Sequence, residues 1–67
     1  MREMKTGQVW EIYNMARQAW FKADVMLIED GIYATLNYQG MPGMSFVGEV
    51  STITTAPDRY RLVRDVN

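Results

Sequence analysis

The sequence predicts an all-β domain: five short antiparallel strands curling into a small barrel. Three observations carry that reading. Apolar and polar residues alternate with a period of two on both sides of Asp30-Gly31. Clusters of turn-forming residues cut the chain into stretches of strand length. At 67 residues there is room for one domain and one modest core, and closing a sheet on itself is one way to remove its exposed edges.

The breaks are Gly7 and residues 14–18, 29–31, 39–43 and 54–58, which leaves five candidate strands at 8–13, 19–28, 32–38, 46–51 and 59–63. In the second, the odd positions Ala19, Phe21, Ala23, Val25 and Leu27 are all apolar, while the even positions include Lys22 and Asp24. Asp30-Gly31 is a hairpin dipeptide. Beyond it, Ile32, Ala34, Leu36 and Tyr38 form an apolar face against Tyr33, Thr35 and Asn37. Two antiparallel strands with one buried face follow from that pattern. Phe46 and Val50 face one way around Gly48, where a missing side chain permits a sharp bend. Residues 52–58 suit a single 3₁₀ turn, and Tyr60 and Leu62 then close the sheet. The expected organisation is one domain over 1–67, with 1–6 a flexible N-terminus and 7–63 the barrel.

A second architecture competes over residues 8–29. There Gln8, Glu11, Asn14, Gln18, Lys22 and Glu29 recur at helical spacing, opposite Val9, Ile12, Ala16, Trp20, Ala23 and Leu27. That reading gives an α+β fold, one amphipathic N-terminal helix on a three-stranded antiparallel sheet. Against it, Phe21 and Val25 would fall on the polar side of the helix.

The chain has no cysteine and no histidine. Disulfides, Cys/His zinc sites and nucleophilic triads built on Cys or His are therefore excluded, and no cofactor or metal is expected. Glu11, Asp24 and Glu49 are isolated in sequence, and Glu29-Asp30 sits in a turn, so none reads as a general acid or base. The expectation is a non-enzymatic protein. A formal net charge of −1 does not suit general phosphate-backbone binding, which is normally carried by a basic domain. Charge is nevertheless uneven, with Arg59, Arg61 and Arg64 close together near the C-terminus. Neither a signal-peptide core nor an apolar run of membrane-spanning length is present; a reducing cytoplasm is the expected location.

Several short motifs, in order, resemble the Tudor-like branch of the SH3-like small barrels. Gly-Gln-Val-Trp-Glu-Ile-Tyr at 7–13 is similar to that family's opening strand, and Trp-Phe-Lys-Ala-Asp-Val at 20–25 to its second. Leu-Asn-Tyr-Gln-Gly at 36–40 resembles the end of its third strand, and residues 48–53 its last strand entering a 3₁₀ turn. The resemblance implies a ligand site at one mouth of the barrel, where family members read methylated cations with an aromatic cage by cation–π attraction. Its positions here are Tyr13, Phe21, Tyr38 and Met41, the last a thioether where the family has an aromatic. Alternatively, these side chains cap the end of an ordinary core.

Two further features stand out. Met41-Pro42-Gly43-Met44 reads either as an adaptable protein-binding loop or as a connection folded back over the core. Arg59, Arg61 and Arg64, interleaved with Tyr60, read as nucleic-acid contacts or as a charged edge strand. Three functions remain: a module binding a protein or peptide at the aromatic mouth, a nucleic-acid-binding barrel using the C-terminal arginines, and a small subunit of a homo-oligomer with a shared site.

Overall fold

A computed structural model describes residues 3–66. The fold is all-β with one short helix: β1 (Val9–Asn14), β2 (Ala19–Glu29), β3 (Tyr33–Tyr38), β4 (Ser45–Glu49), α1 (Val50–Thr55) and β5 (Tyr60–Arg64). All five strands join one antiparallel sheet in the order β4-β3-β2-β1-β5. Residues 8–29 thus form two strands joined by a turn at 15–18, and not the alternative amphipathic helix. Trp10 and Ile12 are both buried and lie two residues apart, a strand period that no helix face can provide.

The core occupies the inner face of the sheet. Trp10 lies opposite Ala23, Ala23 opposite Tyr38, Val25 opposite Leu36, and Leu36 opposite Phe46. Met4, Ile12, Ala34 and Ile53 complete the buried cluster, with Phe46, Val50, Tyr60 and Leu62 packed against it. The expected inward face of β2 holds through Val25 and then fails. Leu27 is exposed, because a bulge at Met26 shifts the ladder from Val25–Leu36 to Leu27–Thr35. One extra residue reverses every later side chain, and Ile28 turns to the core instead. Ile32, expected in the apolar row of β3, lies before that strand and is exposed.

Two other expectations are corrected. The turn after β4 is α-helical and starts earlier than the expected 3₁₀ turn, so β4 ends at Glu49. Its sequence, Val-Ser-Thr-Ile-Thr-Thr, is a poor intrinsic helix former. Ile53 anchors it in the core, and the Thr54 and Thr55 hydroxyls donate to the carbonyls of Val50 and Ser51 at 2.8 and 2.6 Å. The sheet also does not close into a barrel. Among the described residues no ladder joins β4 to β5; the seam is spanned by the rings of Phe46 and Tyr60, 5.9 Å apart, and by α1.

The segment expected to be a flexible terminus is packed where it is described: Met4 is buried in the core cluster, while residues 1–2 lie outside the described residues. Gln8 is the reason. Fully buried, its Oε1 accepts from the Lys5 amide at 2.8 Å and from Trp10 Nε1 at 2.9 Å. Its Nε2 donates to the Glu3 carbonyl at 3.0 Å and to Asp65 Oδ1 at 2.7 Å. Both lone pairs and both amide protons are satisfied, and one side chain ties the start of the chain to its end.

Candidate functional site

The loop between β3 and β4 is shaped by its glycines and by short-range hydrogen bonds. Gly40 and Gly43 take φ values of 75° and 82°, in the left-handed region. The Met44 amide donates to the Met41 carbonyl at 3.0 Å, and the Tyr38 amide to the Met44 carbonyl at 3.1 Å. The far side of the loop is tied to β2, since the Gln39 amide donates to the Lys22 carbonyl at 2.9 Å and its Nε2 to Asp24 Oδ1 at 2.8 Å. Pro42 stiffens the tip. The result is a held loop that presents Met41 half-buried and Met44 exposed.

Three of the four expected mouth residues meet there. Phe21 from β2, Tyr38 from the end of β3 and Met41 from the loop line a recess of about 260 Å³, joined by Met44, Asn14 and Arg17. On its other side the same loop borders a second hollow of about 460 Å³, lined by Tyr38, Met41 and Met44 together with polar groups of Asp24, Asn37 and Ser45. Burial raises the pKa of the Tyr38 hydroxyl, and the neighbouring Tyr60 adds to the effect.

Tyr13 is not part of this recess. The register pairs Ile12 with Phe21 and Tyr13 with Trp20, which puts Tyr13 on the opposite face of the sheet. There its ring meets Trp20 edge-on at 5.2 Å. Arg61 lies over the other part of that cluster, its guanidinium carbon 3.9 Å from the Trp20 ring centroid and its Nε 2.7 Å from Glu11 Oε1. Arg59, just before β5, and Arg64, at its end, are both exposed. The three arginines therefore do not converge on one recess.

Arg17, Asn14 and Met44 were outside the expected site. Asn14 ends β1 and Arg17 lies in the β1–β2 turn, where Asn14 Oδ1 accepts from the Arg17 amide at 3.0 Å and Gln18 takes a φ of 51°. The turn-forming residues at 14–18 were the available signal, but nothing in them points to the β3–β4 loop. Among the described residues no three carboxylates come together as a metal-sized cluster, and no helix is long and apolar enough to cross a membrane. No protein-family profile, curated protein or solved structure matches the chain.

Proposed function

We propose that the protein is a non-enzymatic interaction module that binds a protein or peptide segment in the recess of Phe21, Tyr38 and Met41. The observation that carries this reading is that three separate elements deliver an aromatic ring, a phenol and a thioether to one open recess. Such sites combine an apolar floor with a few polar groups that fix orientation. Met41 and Met44 adapt their shape to a partner, and Tyr38 offers a hydroxyl at the wet edge.

The strand order and the short helix before β5 favour the Tudor-like form of the SH3-like architecture. The family's cation reading draws less support than its fold. Tyr13 lies on the other face, Met41 replaces a ring, and the lining residues include Arg17 and no carboxylate. A cation at the rim repels a methylated lysine and attracts a carboxylate. The ligand proposed is therefore a peptide with an apolar anchor beside an acidic residue or a free C-terminus. The nucleic-acid alternative has the weaker footing, since Arg61 is engaged by Glu11 and Trp20.

Selection of random peptides displayed on phage tests this proposal, with enriched sequences mapped by NMR on the labelled protein. The expected sequences pair a large apolar residue with a carboxylate, shift the resonances of Phe21, Tyr38, Met41 and Met44, and lose at least tenfold in affinity to Met41→Lys. Shifts confined to the Trp20–Arg61 face would remove the recess from consideration.

A further inference from the structure

The bulge at Met26 and the ladders beyond it compose the outer face of β2, β3 and β4 row by row. Leu27 lies opposite Thr35 and Thr35 opposite Val47. The next outward row sets Glu29 opposite Tyr33 and Tyr33 opposite Glu49. Ile28, Ala34 and Leu36 point the other way and take the core. The outward rows are left to solvent, with Leu27 50%, Tyr33 51% and Val47 63% exposed. Directly opposed side chains stand about 4.5–5.5 Å apart at Cβ, so Leu27, Tyr33 and Val47 form one patch around Thr35. Single exposed apolar residues need no explanation, whereas a contiguous patch with a polar rim marks an interaction surface.

Charge around this patch has one sign. No lysine or arginine occurs anywhere in residues 23–58. Glu29 and Glu49 flank Tyr33 from its two sides, their backbones roughly 10 Å apart by two strand spacings, and Asp30 follows in the adjoining turn. Among the described residues none of these three carboxylates forms an ion pair. Glu11, on the other half of the sheet, differs: it is held 2.7 Å from Arg61 Nε. An exposed phenol ring between two unpaired carboxylates attracts a cation twice, through the ring quadrupole and through Coulomb attraction. Leu27 and Val47 beside it suit the aliphatic stem of a long basic side chain, or an apolar residue next to it.

We propose that the outer face of β2, β3 and β4 docks a basic partner protein. An apolar side chain of the partner covers Leu27 and Val47, and a lysine or arginine lies over Tyr33 between Glu29 and Glu49. Charge sign selects this occupant. A second copy applied through the same face sets Glu29 and Glu49 against carboxylates. Its basic residues offer no free patch either, since Arg61 is held by Glu11, and Arg59 and Arg64 adjoin Asp58 and Asp65. Anionic lipid and nucleic-acid backbones are repelled by the same rim. The face shares no residue with the recess of Phe21, Tyr38 and Met41, so the failure of either reading leaves the other standing.

Titration of the isotope-labelled full chain with two synthetic peptides tests the proposal, one alternating leucine with lysine and the other leucine with glutamate. The lysine peptide is expected to shift the amide resonances of Leu27, Tyr33, Thr35 and Val47, and to bind more weakly as salt screens the exposed charges. The glutamate peptide leaves those resonances in place. A chain carrying both Glu29→Gln and Glu49→Gln loses at least tenfold in affinity, and so does Val47→Lys. All three positions are exposed, and the unliganded spectrum of each variant shows that it is folded. No shift at these amides, shifts spread over distant carboxylates, equal binding of the glutamate peptide, or an affinity that survives the double substitution would overturn it. Self-association of the wild type that Val47→Lys abolishes would give the face to a second copy instead. Co-sedimentation with phosphatidylserine vesicles, lost in Val47→Glu, would give it to a membrane.

Discussion

Gln8 shows how one polar residue can organise a small core. Its amide satisfies the Trp10 indole N–H inside the fold and binds residues from both ends of the chain. Gln8→Leu keeps the volume and removes every one of those partners. The orphaned indole alone costs about 1–3 kcal/mol, so urea unfolding is expected at a clearly lower midpoint, with Met4 released from the core. Tyr38 gives a second residue-scale prediction. Its folded pKa is raised above the ordinary value of 10.0, so the fold favours the protonated phenol. The associated stability is complete below pH 10 and is lost as pH rises through the folded pKa. Thermal unfolding between neutral pH and strong alkali is expected to lose less stability in Tyr38→Phe than in the wild type over that window.

At the scale of elements, β4 and α1 depend on a contact that only tertiary structure creates. A Cβ on Gly48 would stand 2.7 Å from Phe46 Cε2 and 3.4 Å from Ile53 Cδ1. The glycine therefore makes room for the Phe46 ring that spans the open seam to Tyr60. Gly48→Ala is expected to displace that ring and cost about 1–3 kcal/mol, read as a lower melting temperature and a changed near-ultraviolet signal from Tyr60. The helix has little propensity of its own and is held by Ile53. Ile53→Ala removes a fully buried side chain for about 2–5 kcal/mol. Thr55→Ala removes only an exposed hydroxyl bond and is expected to change the unfolding midpoint far less.

For the whole molecule, the curl of the sheet decides what its two edge strands meet. The sheet ends at β4 and β5, and these two edges face each other across a seam filled by α1, Phe46 and Tyr60. Edge strands invite association, and a lysine placed on one discourages it. Val47 is exposed on β4, so Val47→Lys is expected to move the stability of the chain by no more than about 0.5 kcal/mol. Chemical unfolding of that variant checks the expectation.

The all-β class, five strands near their observed bounds and the Asp30-Gly31 hairpin were legible in the sequence, because alternation and turn chemistry are local properties. So was the grouping of Phe21, Tyr38 and Met41, which follows from strand phase and strand order. Tyr13 could have been placed by the same phase: burial of Trp10 and Ile12 sends it to the other face. The Met26 bulge left no local mark, since Val25, Met26, Leu27 and Ile28 are all apolar and the ladder alone decides which of them is extra. The same holds for the helix of β-branched residues, stabilised by a core that local propensity does not describe. Barrel or open sheet was likewise a tertiary decision. What leaves the seam open is the packing of α1, Phe46 and Tyr60 between β4 and β5, contacts between residues far apart along the chain.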